Sequence, residues 1–123
     1  DVTLGGGSEI CEFAVVGPGV KLGPGCRIGM QASLKDGVTL GSQCEVAEQV
    51  VMQGPLTAGS RNRFQQFAMI GGHSSHLNAT RNGHISIGSD CVFEIGSIVL
   101  APRGDADGLG GTRRPGVTRI DDR

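Results

Sequence analysis

Three histidines lie in one stretch of this chain, at His73, His76 and His84, and the sequence has no others. An imidazole titrates near neutral pH, so it can act as a general base, donate a hydrogen bond to a substrate or ligate a metal. The surrounding segment, residues 72–84, is rich in Gly, Ser and Asn, which also fits a solvated polar loop. No Cys-x-x-Cys or Cys/His spacing accompanies these histidines, so the sequence predicts no metal site.

Charged residues are distributed unevenly along the chain. Residues 1–60 carry 3 Lys and Arg against 6 Asp and Glu, whereas residues 61–123 carry 8 Arg against 6 Asp and Glu. An anionic ligand is therefore expected in the second half, while a net charge of -1 lacks the basic excess of nucleic-acid-binding proteins. No apolar run reaches the roughly 18 residues of a membrane span, and no signal peptide is visible. We expect a soluble, cytoplasmic protein that binds neither nucleic acid nor membrane.

The elements that position these residues follow from an internal repeat of six residues. From Leu4 to Ile70 every sixth residue is apolar. A helix repeats near 3.6 residues and an amphipathic strand at 2, so neither accounts for this period. Short strands joined by turns do, when three units of six wind into one 18-residue coil of a triangular prism. The predicted fold is all-β, a left-handed parallel β-helix of about five to six coils.

The 18-residue coil predicts which side chains stack on one another. The inward columns are Leu4, Leu22, Leu40 and Ala58; Ile10, Ile28, Val46 and Phe64; and Val16, Leu34, Met52 and Ile70. One corner needs residues without a Cβ, and its column is Gly5, Gly23, Gly41 and Gly59. Cys26, Cys44 and Cys91 occupy another inward column, and we predict that these three and Cys11 are structural free thiols in a reducing compartment.

The repeat is interrupted twice. After Ile70 it resumes at Ile87, and a second, Gly-rich interruption precedes a short predicted strand at Val117–Ile120. We predict one domain over residues 1–123, with loops protruding at about 72–84 and 104–116. In solenoid proteins, functional residues are commonly found in such inserted loops.

These features together resemble a known family. The hexapeptide array, the stretch from Gln66 to Gly71 followed by a polar loop, and Ile85-Ser-Ile87-Gly88 are similar to the UDP-N-acetylglucosamine O-acyltransferases of lipid A biosynthesis. The similarity runs from about Leu4 to Ile120. It implies a homotrimer with sites between neighbouring prisms, a sugar-nucleotide acceptor and a hydroxyacyl chain delivered by acyl carrier protein. In that family a histidine is the general base on a sugar hydroxyl, which attacks the acyl thioester without a cofactor.

The resemblance and the residue types together yield candidate site residues. The candidate substrate contacts are His73, His76, Asn78, Gln66 and Arg103, and the arginines Arg61, Arg63 and Arg81 are candidates for contact with anions or with the carrier protein. His76 and Asn78 stand where the family has a loop Asp and Lys, and Leu100-Ala-Pro-Arg103-Gly replaces the family motif Thr-Ile-His-Arg-Gly.

The catalytic assignment stays open at the level of the sequence. The family's catalytic His would follow the segment Val117–Ile120, and no histidine stands there. No catalytic residue is assigned, and His76 is a weak candidate. Two interpretations remain: an acyltransferase relative that is truncated or lacks the catalytic His in this chain, and a non-catalytic trimeric β-helix that serves as a binding or scaffold module.

Overall fold

The computed structural model describes residues 2–71, 84–100 and 117–122. Within these ranges the chain forms sixteen short strands, β1 to β16 in chain order, which alternate among three parallel sheets. Sheet A contains β1 (Thr3–Leu4), β4 (Lys21–Leu22), β7 (Val38–Leu40), β10 (Leu56–Ala58), β13 (His84–Ile87) and β16 (Val117–Ile120). Sheet B contains β2 (Glu9–Ile10), β5 (Arg27–Ile28), β8 (Glu45–Val46), β11 (Arg63–Phe64) and β14 (Val92–Phe93). Sheet C contains β3 (Val15–Val16), β6 (Ser33–Lys35), β9 (Val51–Gln53), β12 (Met69–Ile70) and β15 (Ile98–Val99).

Strand pairing confirms the predicted stacking of the coils. On sheet A, Leu4 pairs with Leu22, Leu22 with Leu40, and Leu40 with Ala58. The columns predicted for the second and third faces pair in the same way on sheets B and C. After the first interruption Ala58 pairs with Ile87, so the repeat resumes where predicted. The strand itself begins earlier, because His84, which the sequence placed in the loop, is the first residue of β13.

The core is a narrow stack of aliphatic side chains that point inward from the three sheets. Leu34, Met52 and Ile70 on sheet C are fully buried, as are most of their counterparts on the other two sheets. The rings of Phe64 and Phe93 stack with centroids 4.8 Å apart. Small residues such as Ala32 and Ala68 fill the second inward positions, which lets the prism close with few aromatic side chains.

The glycine corner has the close approach that the sequence predicted. A Cβ placed on Gly23 would lie 2.6 Å from the carbonyl carbon of Gly41, and one on Gly41 would lie 2.7 Å from that of Gly59. Real Cβ atoms do not approach backbone atoms so closely, so consecutive coils can stack at this corner only without side chains.

A ladder of hydrogen bonds runs inside the prism, along the column that holds the cysteines. At each coil an inward side chain donates to the backbone carbonyl at the glycine corner of the next coil: Ser8 to Gly23, Cys26 to Gly41, Cys44 to Gly59, Asn62 to Gly88 and Cys91 to Asp121. The prediction that Cys26, Cys44 and Cys91 are buried is confirmed. Burial raises the pKa of the Cys44 thiol to about 11, so this thiol is protonated and donates.

Candidate functional site

The corner between sheets C and A is where the repeat is interrupted. Residues 72–83 connect β12 to β13, and residues 101–116 connect β15 to β16. Because Ile70 pairs with Val99 and His84 pairs with Val117, the two segments leave and rejoin neighbouring coils at the same corner. Five sequence-predicted site residues belong to these segments and lie outside the described residues: His73, His76, Asn78, Arg81 and Arg103. The described residues around the attachment points therefore define the base of the candidate site.

Gly71 and His84 bracket the first of these segments. Gly71 is buried and has a positive φ of 84°, and its N–H donates to the carbonyl of Val99 at 2.7 Å. A Cβ on this residue would collide with the carbonyl oxygen of Gln53, so only glycine permits the chain to leave the prism here. His84 is half-buried at the start of β13. Its imidazole therefore lies next to the point where the first segment rejoins the prism.

Arg61 lies at a different corner, between sheets A and B. Its guanidinium donates to both carboxylate oxygens of Asp90, at 2.7 and 3.0 Å. These hydrogen bonds and the charge of Asp90 raise the pKa of Arg61, and the Arg61 guanidinium holds the pKa of Asp90 below its usual range. An anionic ligand at Arg61 would therefore compete with a carboxylate that already forms a bidentate pair.

Arg63 and Gln66 also have carboxylate partners and lie away from the corner between sheets C and A. Arg63 is on the outer side of sheet B, with its Nε 3.4 Å from Glu45 Oε2. Gln66 lies in the turn between sheets B and C, where its amide donates to Glu48 Oε2 at 3.1 Å. The structure thus distributes Arg61, Arg63 and Gln66 around the prism and does not bring them, within one chain, to the corner where the segments attach.

Sheet B carries a charge ladder that the sequence analysis missed. Its outward residues in successive coils are Glu9, Arg27, Glu45, Arg63 and Val92. Arg27 lies 3.9 Å from Glu9, and a groove of about 360 Å³ runs beside Arg27 and Arg63 to Met30 and Gln66. The signal was available in the sequence, since these residues recur at the coil period, one position before each inward residue of the second column.

Sheet C has a different outer surface, which is largely apolar. Its outward residues in successive coils are Val15, Ser33, Val51, Met69 and Ile98. Met69 is 43% exposed and Ile98 is 65% exposed. Sheet A, in contrast, presents Thr, Ser, Lys and Arg at the equivalent positions. The apolar outer surface therefore borders the corner at which both long segments attach.

Two features are absent from the described part of the chain. Among residues 2–71, 84–100 and 117–122, no three His, Cys, Asp or Glu side chains gather as ligands of a metal ion. The same part of the chain contains no helix long and apolar enough to cross a membrane.

Comparison with solved structures identifies the fold. The chain is similar to the acetyltransferase domain of PglB from Neisseria gonorrhoeae FA1090, with a TM-score of 0.56 and 18% sequence identity. The match covers 94% of this chain and 57% of that one, so the present chain spans just over half the length of its structural neighbour. No family model and no curated protein sequence matches the chain. At this identity the likeness establishes the fold alone, and the protein is a left-handed parallel β-helix, as the six-residue period predicted.

Proposed function

We propose that this β-helix is an acyltransferase relative that transfers a hydroxyacyl chain from acyl carrier protein to a sugar nucleotide, UDP-N-acetylglucosamine. The observation that carries the proposal is the convergence of the two long segments at one corner of adjacent coils. These segments contain His73, His76, Asn78, Arg81 and Arg103, which are residue types that suit a sugar nucleotide and its pyrophosphate. A shared fold with an acetyltransferase domain supports the reaction class.

The proposed chemistry uses side chains alone. His76 removes the proton from a sugar hydroxyl, and the hydroxyl oxygen attacks the carbonyl carbon of the acyl thioester. The new C–O bond forms as the C–S bond breaks, and the imidazolium returns its proton to the thiolate of the carrier. Arg103 binds the pyrophosphate, and His73 and Asn78 contact the sugar nucleotide. His84, at the base of the same corner, is a further candidate for contact with the sugar.

The proposal includes a homotrimer that associates through the apolar outer surface of sheet C. Its outward residues recur once in each coil, at the spacing of adjacent strands, about 4.8 Å. A second copy of the prism, packed with its axis parallel to the first, presents apolar residues at the same spacing and can pack against them coil by coil. Such packing would set the corner between sheets C and A against a neighbouring chain. Gln66, Arg61 and Arg63, which lie elsewhere on the prism, could then reach the site from that neighbour.

The proposal is tested by a transfer assay with mass-spectrometric detection. The chain is incubated with UDP-N-acetylglucosamine and hydroxyacyl-acyl carrier protein, with acetyl-coenzyme A as an alternative donor. We expect the O-acylated sugar nucleotide from the carrier-protein donor, and we expect the His76→Ala and Arg103→Ala variants to abolish it. Arg27→Ala is the matched control, because Arg27 is an exposed arginine on sheet B. If product forms from acetyl-coenzyme A but not from the carrier-protein donor, the chain is an acyltransferase and the proposed donor is wrong.

A binding or scaffold module is the second candidate. It is favoured by the carboxylate partners of Arg61 and Arg63 on the described surface, which reduce the attraction of these residues for anions. On this interpretation the chain is a trimeric binding or scaffold module that forms no acylated product. Absence of product from either donor, with self-association intact, would favour this candidate over the enzyme.

A further inference from the structure

The charges on the outer side of sheet B alternate in sign from coil to coil. Coils 1 to 4 of the prism contribute β2, β5, β8 and β11 to this sheet. Their outward residues are, in that order, Glu9, Arg27, Glu45 and Arg63. These four side chains are between 58% and 72% exposed, although Arg27 and Arg63 each have a carboxylate in the preceding coil, at 3.9 and 3.4 Å. The ladder therefore keeps four charges accessible to a partner.

This order of charges is complementary to itself when two copies of sheet B face each other with antiparallel prism axes. A two-fold axis that passes between coils 2 and 3 sets coil 1 of one copy opposite coil 4 of the other, and coil 2 opposite coil 3. Glu9 of one copy then faces Arg63 of the other, and Arg27 of one copy faces Glu45 of the other. Because symmetry repeats each contact, all four contacts along the ladder join opposite charges.

Parallel arrangements of the same two surfaces are less favourable. Parallel prisms in register set Glu9 against Glu9 and Arg27 against Arg27, and contacts between like charges are repulsive. A shift of one coil removes this repulsion, but it forms three contacts and leaves one charge of each copy without a partner. It also generates an open stack, because a displacement along the axis repeats without closing. The antiparallel pair is the closed arrangement in which every charge of the ladder faces an opposite one.

The columns beside the ladder are compatible with the antiparallel pair. The turn residues on one side, in coils 1 to 4, are Glu12, Met30, Glu48 and Gln66. The two-fold axis sets each glutamate of this column opposite Met30 or Gln66, so no carboxylate meets another. On the other side Arg61 of coil 4 is set opposite Gly7 of coil 1, beside a groove of about 640 Å³ that leaves room for the long side chain. Neither flank brings like charges together.

We propose that sheet B is a self-association surface, through which two copies of this chain pair with antiparallel axes. Four coils at a strand spacing of about 4.8 Å give a contact roughly 15–20 Å long, which is smaller than the face of a permanent dimer. The pairing is therefore weak, reversible and sensitive to salt. It does not use sheet C, the surface assigned to the trimer. In the paired state Arg63 faces a carboxylate of each copy, so this use of Arg63 is an alternative to contact with the sugar nucleotide.

Sedimentation at two salt concentrations tests the pairing. It is measured on the parent and on Met69→Glu, which introduces a charge into the apolar outer surface of sheet C. We expect the mass of the Met69→Glu chain to double between about 500 mM and about 20 mM salt, because salt screens contacts between exposed charges. A mass independent of salt, or growth beyond a pair as in an open stack, would overturn the proposal. The measurement reads association and not acyl transfer, so its failure and the failure of the proposed function are distinguishable.

Charge reversal in the same chain identifies the contacts that hold the pair. Arg27→Glu sets like charges opposite each other at two of the four contacts, and so does Glu45→Arg. Each reversal should therefore raise the dissociation constant by about tenfold or more. An equal mixture of the two variants should pair again, because every contact then joins opposite charges. This recovery also excludes misfolding as the cause of the loss.

Lys21→Glu is the matched control for net charge. Lys21 is an exposed cation on sheet A, so its reversal changes the charge of the chain as Arg27→Glu does but leaves the ladder intact. We expect this variant to pair like the parent and to rescue Glu45→Arg less well than Arg27→Glu does. Equal losses in Lys21→Glu and Arg27→Glu, or a mixture of Arg27→Glu and Glu45→Arg that stays unpaired, would overturn the proposal.

Discussion

Replacement of Asn62 by alanine tests the internal hydrogen-bond ladder at its most polar position. The side chain is fully buried; its Nδ2 donates to the Gly88 carbonyl at 2.8 Å, and its Oδ1 accepts from the Cys91 N–H at 2.8 Å. Asn62→Ala removes both hydrogen bonds and leaves the buried Cys91 N–H unpaired, whereas the Gly88 carbonyl still accepts from the Gly59 N–H at 3.1 Å. An unpaired buried group costs about 1–3 kcal/mol and a lost hydrogen bond about 0.5–1.5 kcal/mol, so we expect the free energy of unfolding to fall by roughly 1.5–4.5 kcal/mol.

Urea denaturation measures this loss directly. With a slope of about 1–3 kcal/mol per molar urea, the midpoint should move down by at least about 0.5 M while the slope stays unchanged. Ser8→Ala is the matched control, since Ser8 occupies the same column but is only partly buried and donates one bond, to Gly23 at 3.0 Å. We expect it to cost about 1 kcal/mol or less. Equal losses in the two variants would refute the reasoning that burial makes the unpaired groups costly.

The remaining predictions concern the glycine corner and two titrating groups. Gly23→Ala should lower the free energy of unfolding by about 1–3 kcal/mol, because the new Cβ would lie 2.6 Å from the carbonyl carbon of Gly41. Gly6→Ala is the control and should be nearly neutral, because no atom lies within 4 Å of its Cβ position. Equal thermal stability of the two variants would contradict the close approach at Gly23. Burial raises the pKa of the Cys44 thiol to about 11. The protonated thiol therefore stabilises the fold fully at pH values below the pKa of an unfolded-state cysteine, roughly 8.5, and this stabilisation is lost as the pH rises towards 11. The free energy of unfolding should therefore fall more steeply between about pH 8.5 and pH 11 in the parent than in Cys44→Ser. The same pH dependence in both proteins would contradict the raised pKa of Cys44. Hydrogen bonds from Arg61 lower the pKa of Asp90. The ion pair therefore stabilises the fold fully at pH values above the ordinary carboxyl pKa, roughly 4. This stabilisation is lost as the pH falls through the lower pKa that Asp90 has in the folded protein. Asp90→Asn should be less stable than the parent at pH 7 and approach it in acid, and a stability gap independent of pH would exclude the ion pair as the cause.

The inward side of the prism could be predicted from the sequence because packing there repeats without exception. Leu4, Leu22 and Leu40 stack as the 18-residue period requires, and a shift of one residue would expose the whole column. The glycine corner could be predicted for the same reason, because the backbone of the neighbouring coil excludes a Cβ at this corner in successive coils. The start of β13 was predicted less well: His84 is polar, and its place in the strand comes from pairing with Val117, which the local sequence does not specify.

The candidate site was harder to predict because it depends on outward residues and on the two long segments. Arg61 and Arg63 were grouped with the loop arginines as candidate contacts to an anion or to the carrier protein, yet each is paired with a carboxylate of a neighbouring coil. That pairing follows from the coil period and could have been found by examining outward columns as carefully as inward ones. The roles of His76 and Arg103 stay predictions, since they depend on contacts with a substrate and on segments outside the described residues.

The central claim is that a sugar-nucleotide site forms where self-associated prisms meet beside sheet C. The most direct test is calorimetric titration of UDP-N-acetylglucosamine into the chain and into Met69→Glu, with the mass of each followed by sedimentation. Met69 lies in the apolar outward column of sheet C, and Val92→Glu, which replaces an exposed apolar residue on sheet B, is the matched control. We predict a trimer that binds the ligand for the parent and the control, and a monomer that does not bind it for Met69→Glu. A Met69→Glu trimer, or a monomer that still binds the ligand, would contradict the account.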